Sequence, residues 1–156
     1  MKLNRNLEIM NSKEIKVLLK TLYDQFEYEG KPELVFLRSN KEKFYLLNRD
    51  VDQINYEKLR IDSAGLYFGK FLKDGFRFSI EGTQFFGPRC KKNIISLDIY
   101  QKHEWLKGND LQINENDGIY LIKWENDFLG CAKIKEGVAL NSVPKARRLF
   151  VVNESQ

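Results

Sequence analysis

The sequence predicts an α+β fold in two parts: helix layered on antiparallel sheet first, then a small, mostly-β, partly open barrel. Three observations predict it. Apolar residues Ile15, Leu18, Leu19, Leu22, Tyr23 and Phe26 recur at the spacing of one helical face. Two pairs of apolar runs then flank polar or Asp-Gly turns. After Gly87-Pro88 the chain becomes short strands punctuated by turn-forming stretches.

In chain order, Asn11 with Glu14 forms a capping-box pattern ahead of the first helix, and Gly30 followed by Pro32 ends it. LVFLR (34–38) and KFYLLN (43–48) read as a hairpin around SNKE, and RDVDQINYEKLR as a short helix and linker. GLYFGKFL (65–72) and FRFSIEG (76–82) read as strands joined at Lys73-Asp74-Gly75, since Asp-Gly tolerates the positive φ of a tight turn. Gly69 within that strand predicts a bulge or a close backbone approach. Gly87-Pro88 sets the expected boundary between an N-terminal domain, 1–88, and a C-terminal domain, 89–156. NIISL (93–97) is then a strand, Asp98 caps a short helix through HEWL, and Gly108 closes it. DLQIN, GIYLIKW and FLGCAKI supply the remaining strands.

Composition, 42% hydrophobic and 31% charged, fits a globular chain rather than a disordered one. No apolar run reaches the ~20 residues of a membrane span. MKLNRNLEIMNSKE has no apolar signal core, which predicts an intracellular protein. Cys90 and Cys131 are too widely spaced for a metal motif and read as reduced, partly buried thiols. The lone His103 excludes a histidine-rich metal site and reads as a surface residue on its short helix. GKFLKDG lacks phosphate-loop spacing, and neither a Gly-x-Ser-x-Gly elbow nor a Gly-x-Gly-x-x-Gly fingerprint occurs. Asp50, Asp52, Asp74, Asp110, Asp117 and Asp127 mostly fall in turns, where they support backbone geometry. The expectation is a chain without catalytic residues, cofactor or metal.

What remains is charge and aromatic surface. The net charge of +4 is mild, yet six of the 11 basic residues after position 88 fall in two clusters, Arg89/Lys91/Lys92 and Lys145/Arg147/Arg148. Lys107 joins them as a candidate RNA-binding residue. Cations serve phosphates, and flat side chains such as Trp105 and Phe150 serve exposed bases. On the 65–78 hairpin, Lys70, Lys73 and Arg77 alternate with Phe68, Phe71, Phe76 and Phe78. That alternation gives an aromatic face and a basic or mixed one, either core and solvent or core and a partner surface.

Two stretches carry a family resemblance. HEWLKGNDLQI with DFLGCAKIKEG resembles the PUA domain, the small RNA-binding pseudo-barrel of pseudouridine synthases and archaeosine transglycosylases, over about residues 89–156. GLYFGKFLKDGFRF (65–78) resembles the Nip-seven family of ribosome-biogenesis factors, whose members carry such a hairpin just ahead of a PUA domain. The resemblance implies a non-catalytic protein that binds precursor ribosomal RNA during large-subunit assembly, with a preference for uridine-rich single strand. It implies contacts to RNA from basic residues of the PUA domain and to assembly proteins from the N-terminal domain. A monomer acting in the cytoplasm, or the nucleolus of a eukaryote, is the matching expectation, with chain length pointing to an archaeal relative. One departure is that basic residues do not continue past Phe150 into VVNESQ. The alternative is an RNA-gripping accessory subunit of a methyltransferase or pseudouridine synthase, although the first 88 residues carry no glycine-rich cofactor loop.

Overall fold

The computed structural model describes residues 2–3, 7–48 and 65–149. The short helix expected in RDVDQINYEKLR, as well as Asp50, Asp52 and Phe150, lies outside them. The first part holds strands β1 (Lys2–Leu3) and β2 (Leu7–Ile9), helix α1 (Ser12–Phe26), strands β3 (Leu34–Ser39), β4 (Lys43–Asn48), β5 (Leu66–Leu72) and β6 (Gly75–Phe78), and helix α2 (Ile80–Phe86). The strands form one antiparallel sheet in sequence order, β1 through β6. A 3₁₀ turn, Gly87–Arg89, leads into β7 (Ile94–Ser96), α3 (Ile99–Lys107), β8 (Leu111–Gln112), β9 (Gly118–Trp124), β10 (Asp127–Lys135) and β11 (Val138–Leu140). Their sheet has the order β7-β9-β10-β11-β8 and curls into a half-barrel; β7 runs parallel to β9 and the other pairs are antiparallel. No helix among the described residues is long and apolar enough to cross a membrane.

The predicted capping box at Asn11 forms, and the predicted cap Asp98 proves to be a second such box. Asn11 accepts from Glu14 N–H at 2.8 Å while the Glu14 carboxylate accepts from Asn11 N–H, and Asp98 and Gln101 repeat the arrangement on α3. Gly108 closes α3 at φ 98°. The end of α1 differs from expectation: Glu27, not Gly30, takes the left-handed position at φ 49°. The buried face of α1 is Leu18, Leu22 and Phe26, and Tyr23 is half exposed rather than part of it. α1 lies against the edge strand β6, where the Gln25 amide donates to Phe76 O at 2.7 Å and accepts from Phe76 N–H at 2.9 Å. That pairing covers backbone groups an edge strand would otherwise leave open.

FRFSIEG was expected to be strand throughout, but it divides. β6 stops at Phe78, and Ser79 caps α2 by accepting from Gly82 N–H at 3.0 Å. Gly82 packs directly on the Phe68 carbonyl, so the helix crosses β5 where any side chain would collide with backbone.

The predicted irregularity at Gly69 is a β-bulge. Phe44 pairs with Gly69 and Tyr45 with Tyr67, so Phe68 and Gly69 share one step of β4. The extra residue puts Tyr67 and Lys70 on one face, while Phe68 is buried on the other.

One hydrophobic cluster spans both parts. It joins Phe26, Phe36, Phe44, Phe68, Phe76, Phe78 and Phe86 to Cys90, Ile119, Leu121, Phe128 and Cys131. Gly87 admits the Phe128 ring, whose atoms would lie 2.6–2.7 Å from an added Cβ. A second cluster, Ile95, Leu97, Trp105, Leu111, Ile122, Ile134 and their neighbours, fills the half-barrel.

Substitution at the bulge has a defined cost. A Cβ at Gly69 would stand 2.5 Å from the Phe76 ring and 2.7 Å from Arg77 O. Gly69→Ala is expected to destabilise the protein by about 1–3 kcal/mol, read as a lower urea midpoint with unchanged slope.

Candidate nucleic-acid interface

The first basic cluster lies at the carboxyl end of α1. Lys91 N–H and Lys92 N–H both donate to Phe26 O, at 2.9 and 3.1 Å. The Lys92 ammonium donates to Asp24 O at 3.2 Å, and the Asn93 amide to Gln25 O at 2.6 Å. The last turn of α1 carries no basic residue of its own. Its orphan carbonyls and the negative end of its dipole are therefore served from the linker. Lys91 also pairs with Glu29 at 3.5 Å. Arg89 is exposed and borders a separate hollow with Tyr28, Lys31, Pro32 and Phe85. This cluster ties the two parts together.

The second cluster is held differently. Lys145–Arg147 form a 3₁₀ turn, which VPKARRLF did not announce as structure. Arg148 Nε donates to Val143 O at 2.9 Å, and its side chain lies over Gly108 with no room for a Cβ. Leu149 N–H donates to Leu106 O at 2.9 Å. The segment is pinned to the end of α3. Arg147 reaches across the junction to Glu81 on α2 at 2.7 Å. Lys145 is exposed and forms no ion pair among the described residues. Lys107 pairs with Glu104 at 3.2 Å.

The two predicted clusters do not meet in one cavity. Arg147 instead borders a cleft of about 280 Å³ between the two parts, with Tyr67, Lys70, Arg77, Ser79, Glu81 and Ser142 also at its wall. Of these, Lys70 and Arg77 were legible as a basic strand face, yet none of Tyr67, Ser79 and Ser142 stands out in sequence. The signal that could have found Tyr67 is Gly69, since the bulge turns residue 67 to the side of residue 70. Burial raises the Tyr67 hydroxyl above its ordinary pKa, opposed by the nearby Arg77 cation, so it stays a neutral hydroxyl. Cys131 contributes a buried wall, and its backbone carbonyl accepts from the Ser142 hydroxyl.

Trp105 is not a stacking surface. It is fully buried in the half-barrel cluster, because α3 packs its inner side onto that sheet. His103 is half-buried rather than a surface residue, and its Nε2 lies fully inside. Several carboxylates do the turn work expected of them. Asp110 accepts from Asn141 N–H at 2.7 Å, Asp117 accepts from Glu136 N–H at 2.9 Å, and Asp74 pairs with Lys133 across the junction. The Lys133 hydrogen bond and charge lower the Asp74 pKa.

Residues 92–149 match the family model described as "Methyltransferase RsmF PUA domain". A PUA-like domain is thus present in the second part of the chain, and such a domain implies RNA binding. A search of curated proteins finds no match.

Both cysteines are expected to be silent towards thiol reagents. Burial pushes the Cys90 and Cys131 thiols up to about 12. At pH 8 the folded protein should react with Ellman's reagent only at the rate of unfolding, and both thiols should react promptly in denaturant. The sign for stability follows: the unfolded chain releases these protons above about pH 9 and the folded one does not, so stability falls as pH rises from about 9 towards 12.

Proposed function

We propose that this chain is a non-catalytic RNA-binding protein that holds a segment of precursor ribosomal RNA during assembly of the large ribosomal subunit. The match of residues 92–149 to a PUA domain carries the RNA-binding part of this reading. The cationic cleft beside that domain supports it, since Lys70, Arg77 and Arg147 face Glu81 as the one acidic residue among the described residues at its wall. The assembly role rests on the resemblance of GLYFGKFLKDGFRF to the Nip-seven hairpin and on its place ahead of the PUA-like part. On this reading the protein acts in the cytoplasm, takes uridine-rich single strand, and meets assembly proteins through its first part.

A second reading has its own observation. The matched model's description names a methyltransferase, which favours an RNA-gripping accessory subunit of a modification enzyme. Purifying the tagged chain with its bound RNA and proteins separates the two. Recovery with large-subunit precursors and assembly proteins supports the first reading, and recovery with a methyltransferase or pseudouridine synthase supports the second.

The RNA-binding part is tested by fluorescence anisotropy on a uridine-rich single strand across a salt series. Affinity is expected to fall linearly on logarithmic axes, by about 0.7 in slope for each phosphate neutralised. Lys145→Ala removes an exposed cation that makes no ion pair among the described residues. It should weaken binding and reduce the slope by about 0.7 without changing the melting temperature. A wild type that binds no RNA at low salt contradicts the proposal.

A further inference from the structure

The face of the first sheet opposite α1 buries Leu7, Leu37 and Leu47 over part of its area, and beside them it carries a row of half-buried cations. Lys43 on β4 sits directly opposite Lys70 on β5, and Lys70 directly opposite Arg77 on β6. Directly opposed side chains share a face, with Cβ atoms about 4.5–5.5 Å apart, and like charges so placed repel. None of these residues forms an ion pair among the described residues. The Lys43 ammonium is 5.9 Å from the centroid of the Tyr67 ring, which in turn lies 5.6 Å from Tyr45. Lys70, Arg77 and Tyr67 then form the first sheet's wall of the cleft, and Arg147 faces them from the second part. A row of like-charged cations beside aromatic rings, without an ion pair among the described residues, is the pattern that tracks a nucleic-acid backbone.

We propose that this row, Lys43-Lys70-Arg77, continued by Arg147, is an RNA backbone track on the N-terminal part, so that one RNA strand is gripped by both parts at the cleft. This rests on the RNA-binding reading above and adds where the strand runs. Glu81 is a built-in competitor in that track. Its carboxylate holds the Arg147 guanidinium at 2.7 Å in the unbound protein. A phosphate entering the cleft takes over that guanidinium, and the Glu81 side chain, about 40% exposed, turns to water. Neutralising Glu81 therefore helps RNA, and neutralising the row hurts it.

The test uses the full chain, oligouridine, anisotropy and a salt series. Lys70→Gln with Arg77→Gln should weaken binding on the order of tenfold at about 0.1 M salt and reduce the slope by about 1.4. Its urea midpoint should hold or rise, because like-charge repulsion is relieved. Glu81→Gln should tighten binding roughly two- to fivefold, the range of an exposed ion pair. A gain of affinity on losing Glu81 cannot come from misfolding, so it stands whatever the double variant does to stability. If the wild type binds oligouridine and both variants match it in affinity and slope, the track is overturned while the RNA-binding reading survives. If the wild type binds no RNA, both fall together.

Discussion

Phe78 and Phe86 stack with ring centroids 5.2 Å apart where the two sheets meet, and the geometry of the cleft depends on that contact. Phe78 ends the last strand of the first sheet and Phe86 ends the helix that follows it. Phe26 and Phe68 close on the pair at 5.3 and 5.1 Å, and Leu121, Phe128 and Cys131 of the half-barrel pack into the same cluster. Offset aromatic contacts of this kind add about 0.5–1.5 kcal/mol each beyond the area they bury. A continuous core across the junction sets α2 against β10, which is what brings Glu81 within reach of Arg147.

The junction also divides the basic residues by role. Around Lys91 and Lys92, both backbone donors and the Lys92 ammonium serve the end of α1, so that cluster fastens the two parts, while Arg89 borders a separate hollow. Across the molecule, Arg148 is used to seat the C-terminal segment on Gly108, while Lys145 remains open to solvent. Clustered charge in a sequence thus combines fasteners and solvent-exposed cations, and only their acceptors tell them apart. The cleft cations differ because Lys70 and Arg77 have strand neighbours of the same sign and no carboxylate partner among the described residues.

Much of the fold could be read from local chemistry. Asn11, Asp98, Gly108, the Gly69 bulge and Gly75, which alone of the Asp-Gly pair takes a positive φ, each announce themselves because the geometry needs that residue type there. What could not be read was decided at longer range. Nothing in FRFSIEG shows that Ser79 will cap a helix, because that helix is selected by Gly82 fitting on the Phe68 carbonyl. Gly30 looked like a helix terminator, yet α1 ends at Glu27, where the linker reaches its carbonyls from 65 residues and more away in sequence. Trp105 sits among polar neighbours and reads as exposed, and only the curl of the second sheet buries it. The cleft itself draws on residues 67 to 147 and on no single motif.

Photo-crosslinking to 4-thiouridine RNA, with the crosslinked peptides mapped by mass spectrometry, addresses the shared grip most directly. A strand held by both parts crosslinks to the β5–β6 hairpin around Tyr67 and, on the same molecule, to the segment around Arg147. Crosslinks confined to the second part, with none on the hairpin, would contradict a strand running through the cleft.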